Sequence, residues 1–189
     1  MEAVEVLMMR VVEACERLRL SYYVTGSYAS MTWGEPRYTQ DVDVVVELPS
    51  WKVAEFCAAF PMPDYYVSQE AAMEAARGPS QFNILWASEG VKADIMVFRD
   101  SPFDESRLSR ARRVEVPSVG SVMVAAPEDI ILKKLEFYKE GGSDKHTRDI
   151  ASVFKTQGNR VDVAYIECWV PRIGVTREWA MMKERLGMP

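Results

Sequence analysis

Two aspartates, Asp41 and Asp43, interrupt the apolar run Asp-Val-Asp-Val-Val-Val at residues 41–46, and no other feature narrows the possible folds as much. The run is rich in β-branched residues and closes at Pro49, so it reads as a strand. Side chains alternate along a strand, so both carboxylates leave by one face while Val42, Val44 and Val46 fill the other. Carboxylates held side by side repel, and in apolar surroundings they are costly unless a cation lies between them. Magnesium meets that demand, because it takes a few carboxylate oxygens and completes its shell with water and phosphate oxygens. A solvated sheet edge is the alternative reading of the same pattern.

The rest of the chain supplies a setting for such a strand. Val4, Leu7, Met8, Val11, Val12, Cys15 and Leu18 recur at helical spacing and predict a first amphipathic helix. Tyr22 to Thr25 reads as a strand stopping at Gly26, followed by a short helix from Ser27 to Trp33 and a turn at Gly34-Glu35-Pro36. A strand that ends in Gly-Ser before a helix brings backbone N–H groups and a hydroxyl close to a phosphate. Downstream, a helix from Trp51 to Phe60 capped by Ser50 and a helix from Gln69 to Arg77 followed by Gly78-Pro79 are expected. Strands Gln81–Trp86 and Val91–Phe98 follow, joined by a hairpin turn. Alternation places Lys92, Asp94, Met96 and Phe98 on one face of the second of these. Asp94 is the only acid in mid-strand there, and Asp100, beyond the strand end, is the weaker candidate for a third carboxylate.

Residues 100–113 read as polar and irregular, and Val114 to Val124 as a last hairpin. From Pro127 the pattern is helical to the end, with Glu128 and Asp129 suited to a first turn. The expectation is an α/β core over residues 1–124 and a C-terminal helical region, residues 125–189, packed on it.

Composition constrains partners and compartment. The 189 residues carry a net charge of −5, which argues against non-specific binding to a nucleic-acid backbone. A small anion held through a metal stays compatible. The N-terminal stretch mixes acids and bases among its apolar residues, unlike a signal peptide, and no apolar run approaches the ~20 residues that span a bilayer. Cys15, Cys57 and Cys168 form neither a disulfide framework nor a zinc spacing; all three read as buried small hydrophobes of a cytoplasmic protein.

The order strand, Gly-Ser, helix, Asp-x-Asp strand and later a lone strand Asp resembles the DNA polymerase β-like nucleotidyltransferase superfamily. Its motif corresponds here to Val-Thr-Gly-Ser through Asp-Val-Asp-Val-Val-Val, residues 24–46. The resemblance implies a nucleotidyltransferase fold, a mixed sheet flanked by helices. It further implies that Gly26 and Ser27 bind a nucleoside triphosphate, and that Asp41, Asp43 and Asp94 hold two magnesium ions. The lead-in Arg37-Tyr38-Thr39-Gln40-Asp41 and the segment at residues 125–150 look like motifs of the AbiE-type toxin nucleotidyltransferases. That resemblance adds Arg37 and Thr39 to the nucleotide-binding set, Lys134 to the catalytic set, and a possible cognate partner protein of a toxin–antitoxin pair. The C-terminal region is short, so the large helical domain of the bigger toxins is expected to be absent. The implied reaction moves a nucleoside monophosphate from an NTP to a hydroxyl of a protein or RNA. The alternative is a non-catalytic nucleotide-binding or partner protein that keeps the fold.

Some residues admit two readings. On a helix from Pro127 to Lys139, Lys134 falls within the stripe of Ile131, Leu135 and Tyr138, whereas Lys133 falls outside it. A lysine aimed inward needs an anion. Asp149 is the preferred structural partner, and a phosphate or catalytic acid the functional one. Arg37 divides likewise between a phosphate contact and a loop-stabilising pair. The sole histidine, His146, reads as structural or surface, and Arg107, Arg110, Arg112 and Arg113 as a solvated strand edge or an acceptor-RNA contact. The aromatic and Met residues between Tyr165 and Met182 read as core or oligomer surface.

Overall fold

The computed structural model describes residues 2–78, 80–117 and 119–188, so Pro79 of the expected Gly78-Pro79 turn lies outside the described residues. The chain divides into two compact units, one of Met1–Tyr28 and Tyr38–Ala125, the other of Ala29–Arg37 and Ala126–Pro189.

The first unit holds a mixed seven-stranded sheet in the order β3-β4-β5-β2-β1-β7-β6. Its strands are β1 (Tyr22–Thr25), β2 (Asp41–Val46), β3 (Tyr66–Val67), β4 (Gln81–Trp86), β5 (Val91–Val97), β6 (Arg112–Val116) and β7 (Gly120–Val124). Pairs β2–β5 and β1–β7 are parallel; the other neighbours are antiparallel. On one face Val42, Val44 and Val46 lie in register with Ala93, Ile95 and Val97, and all six are buried. Helix α1 (Ala3–Arg17) lies against β2 and β5, burying the Val4, Leu7, Met8, Val11 stripe that its periodicity demands. Each such aliphatic side chain contributes roughly 1.5–3 kcal/mol by leaving water. The opposite face of β2 and β5 presents the polar residues, half-buried, as strand alternation requires.

Helix α2 (Gly26–Trp33) follows β1 without a linker, and α4 (Gln69–Arg77) is capped by the Ser68 side chain, which accepts from Ala71 N–H. Two local expectations change. The predicted helix Trp51–Phe60 is a 3-10 turn at Ser50–Lys52 and a short α3 (Val53–Cys57), with Pro49 rather than Ser50 at the cap position and no side-chain cap. Pro61 disfavours helical backbone in the residue before it, so the chain leaves the helix early. Residues 100–113 are not irregular, since Pro102–Arg110 form helix α5. Ser101 caps that helix by accepting from Asp104 N–H, and Pro102 occupies its first turn, where a missing N–H is harmless. Arg107 on this helix is buried, its guanidinium 5.3 Å from the centre of the Tyr23 ring and 3.0 Å from Asp104, so it belongs to the core. Arg112 and Arg113 are exposed on edge strand β6.

In the second unit α6 (Pro127–Gly141) lies against α7 (Asp144–Gln157), α8 (Val163–Trp169) and α9 (Thr176–Leu186). Ile131, Leu132, Leu135, Ile150, Ile166 and Trp179 form its buried centre. Cys15 and Cys57 are buried, and burial, then the Glu16 charge, pushes the Cys15 thiol up to about 12. Cys168 is exposed, against expectation, because α8 is a short helix that buries only Ile166. No helix among the described residues is long and apolar enough to cross a membrane.

Candidate active site

The acids meet through strand register. Asp43 of β2 is the Cα partner of Asp94 of β5, and Asp41 is the partner of Lys92, so three carboxylates and one ammonium occupy one face of two adjacent parallel strands. On the flanking strands Thr25 of β1 pairs with Asp43, and Asn83 of β4 pairs with Asp94. Asp41 and Asp94 are half-buried, whereas Asp100 is exposed beyond the end of β5.

Gly26 sits against Asp43. It has φ +61, and a Cβ at this position would collide with the Asp43 carboxylate. Only glycine combines that left-handed backbone with so close an approach. The Ser27 N–H donates to Asp43 Oδ2 at 3.4 Å, which sets a carboxylate at the N-terminus of α2, where anions are favoured. The Thr39 hydroxyl accepts from Asp41 N–H (3.4 Å) and donates to Asp41 C=O (3.2 Å), so it braces the start of β2.

Asp94 has its own donors. Lys92 Nζ lies 2.7 Å from its Oδ2, and the Asn83 amide, turned so that both its ends are satisfied, donates to its Oδ1 at 2.9 Å. The hydrogen bond to Asp94 pushes the Lys92 pKa up, burial opposes it, and the charges of Asp94, Asp41 and Asp43 add to it. Sequence reasoning put Lys92 on the Asp94 face yet gave it no role, and it missed Asn83. Alternation and the hairpin register around residues 87–90 are the signals that place both.

The second unit holds another charged cluster. Lys134 Nζ is 2.7 Å from Asp149 Oδ2, and Arg37 reaches the same carboxylate through Nε at 3.2 Å and a terminal nitrogen at 3.3 Å. Lys134 and Asp149 are buried, while Lys133 turns outward to Glu136, the phase that periodicity predicts. Burial alone would push the Asp149 carboxyl up, but the hydrogen bonds and charges of Lys134 and Arg37 outweigh it and hold it below its ordinary value. Burial pulls the Lys134 ammonium down against the pull of Asp149. Two cations face one acid, so the acid is the member whose ionised form the cluster favours. His146 packs against the Phe137 ring, with centroids 5.6 Å apart.

Metal chemistry can be tested against these donors. The set is all oxygen, which suits a hard cation such as magnesium, and the absent Cβ of Gly26 lets the Asp43 carboxylate lie close against the turn. An ammonium already stands among the carboxylates as a cation. Among the described residues, however, no three or more His, Cys, Asp or Glu side chains converge closely enough to hold an ion, because Asp94 is turned to Lys92 and Asn83.

The mixed sheet flanked by helices matches the fold of solved nucleotidyltransferase structures. The solution structure of the antibiotic-resistance factor ANT(2'')-Ia matches with a TM-score of 0.60 and 13% identity, over 94% of this chain and 96% of that one. The crystal structure of ANT(2'')-Ia in complex with adenylyl-2''-tobramycin matches with a TM-score of 0.54 and 16% identity, over 96% and 97%. An antigenic nucleotidyltransferase-like protein from Paracoccidioides brasiliensis matches with a TM-score of 0.56 and 17% identity, over 93% and 91%. No protein-family model and no curated protein sequence matches the chain.

Proposed function

We propose that this protein is a magnesium-dependent nucleotidyltransferase that moves a nucleoside monophosphate from an NTP to an acceptor hydroxyl, releasing pyrophosphate. The observation that carries this reading is the register of Asp43 with Asp94, with Asp41 on the same face and Gly26-Ser27 against Asp43. Magnesium, when bound, would neutralise charge on the phosphates and on the attacking oxygen. Asp41 and Asp43 would hold the ion that travels with the nucleotide. Asp94 would serve an ion on the acceptor side and help its hydroxyl lose a proton. Gly26 and Ser27 N–H groups would face the triphosphate. Thr39 acts by bracing Asp41, and the two cations Arg37 and Lys134 share Asp149.

ANT(2'')-Ia, whose complex contains a nucleotidylated small molecule, matches this chain over nearly its full length, which favours a small hydroxylated acceptor. The net charge of −5 favours a cationic or neutral acceptor over RNA. A protein acceptor and a cognate partner protein remain part of this reading through the motifs at Arg37–Asp41 and residues 125–150 alone.

The engagement of Asp94 by Lys92 favours a second reading, a nucleotide-binding protein without transfer activity. One assay separates the two. Wild type and the double variant Asp41→Ala/Asp43→Ala are incubated with magnesium, labelled NTPs and either a panel of hydroxylated small molecules or cell extract. Transfer abolished in the variant supports the enzyme. Magnesium-dependent NTP binding without transfer to any acceptor supports the second reading.

A further inference from the structure

Two of the three acids at the strand face, Asp94 and Asp43, are already served from within the chain. Asp94 takes Lys92 on one oxygen at 2.7 Å and the Asn83 amide on the other at 2.9 Å. Asp43 takes the Ser27 N–H at 3.4 Å, on the turn assigned above to the triphosphate. Lys92 is the Cα partner of Asp41 and lies on the face that carries all three carboxylates. Its side chain is 36% exposed, so the flexible four-carbon stem can withdraw toward water. A metal ion and this ammonium compete for Asp94, because both need the same oxygen and repel each other. A phosphate and Asp43 compete for the Ser27 N–H in the same way.

From this geometry we infer that Lys92 is a positioning residue that acts as the built-in counter-ion of the acidic face, occupying Asp94 until a metal arrives together with nucleotide. The inference rests on the proposed function and adds its order of assembly. Nucleotide phosphate releases Asp43 from the α2 N-terminus, the metal enters with the phosphate, and Lys92 gives up Asp94. Metal alone therefore binds weakly, and metal and nucleotide strengthen each other reciprocally.

The test is Mn2+ titration of the full chain at low ionic strength, followed by calorimetry and by the resonance signal of free Mn2+, with and without a non-hydrolysable ATP analogue. Wild type is compared with Lys92→Met, Lys92→Gln, Lys92→Arg and Asp43→Asn. Lys92→Met and Lys92→Gln should bind Mn2+ without nucleotide about fivefold more tightly, the scale of a partly exposed ion pair. Their coupling between Mn2+ and the analogue should fall by the same factor, while Lys92→Arg, which keeps the charge, stays near wild type. Unchanged or weaker nucleotide-free Mn2+ affinity in both uncharged variants, with binding still lost in Asp43→Asn, overturns the counter-ion role alone. Mn2+ binding that Asp43→Asn leaves intact, or no Mn2+ binding by any variant, overturns the assigned metal site and this inference with it.

Discussion

Two lysine–aspartate pairs in this protein share a separation of 2.7 Å and little else. Lys92 and Asp94 are two residues apart on one strand of the sheet unit, with side chains 36% and 16% exposed. Lys134 and Asp149 come from two helices of the other unit, with side chains 5% and 8% exposed. The distance says nothing about the difference; the surroundings decide it. Water competes for Lys92, so its pairing is weak and exchangeable. Lys134 has no such outlet, and a buried charge deprived of its partner is strongly destabilising. One pair is fitted to be given up, the other to be kept.

The largest expected effect separates the pairs by stability. Lys134→Met keeps the packing of the stem but strands Asp149, and should cost about 3 kcal/mol in urea unfolding. That is the low end for a broken buried pair, because Arg37 still reaches the carboxylate. Adding Asp149→Asn should restore much of the loss, a coupling that a double-mutant cycle reads. Near-wild-type stability in Lys134→Met would erase the contrast and show that Arg37 alone suffices.

Next in size is the ligand-linked effect at the sheet. At a hundredfold excess over Kd, magnesium and NTP should stabilise wild type by about 2.7 kcal/mol, and Asp43→Asn should lose most of that shift in thermal unfolding. Without ligand Asp43→Asn should stay near wild-type stability, because relief of repulsion from the acids on the same face is offset by loss of the anion at the α2 N-terminus. An undiminished shift would remove Asp43 from the site.

Gly26→Ala should cost about 1–2 kcal/mol from its left-handed backbone, and it should weaken nucleotide binding beyond that, because the added Cβ displaces the Asp43 carboxylate. Melting curves with and without nucleotide divide the two contributions. A variant that melts lower but binds normally would confine Gly26 to folding.

The smallest effect is in acid. The folded-state pKa of Asp149 is depressed, so its contribution is complete above its unfolded value near pH 4 and is lost as pH falls through the folded value. Wild type should therefore lose stability more steeply below pH 4 than Asp149→Asn in urea titrations from pH 5 to 2. The effect is modest because burial and the two cations push the carboxyl in opposite directions. Parallel profiles would mean that the carboxylate gains nothing from its ionised form.

Period and punctuation make some of these features legible without coordinates. Asp41 and Asp43 share a face because strand side chains alternate, and Lys134 turns inward because α6 turns 100° per residue. The helix α5 at residues 102–110 escaped that reading because its one core residue is Arg107, a type that pattern reasoning assigns to solvent. The rings of Tyr23 and Phe103 and the carboxylate of Asp104 account for its burial.

By itself, then, the amino-acid order determined which residues share a strand face, which helix face is apolar, and that a glycine and a serine stand where a strand gives way to a helix. These are local matters of backbone period and of what each side chain permits its own φ and ψ. Tertiary structure alone decided that Asp43 lies level with Asp94, that Gly26 touches the Asp43 carboxylate, and that Arg37 joins Lys134 on Asp149. Each of the cross-strand and cross-helix contacts joins elements remote in sequence. Their register is set by burial of the opposite, apolar faces, so the chemistry of the polar face follows from packing that its own residues do not encode.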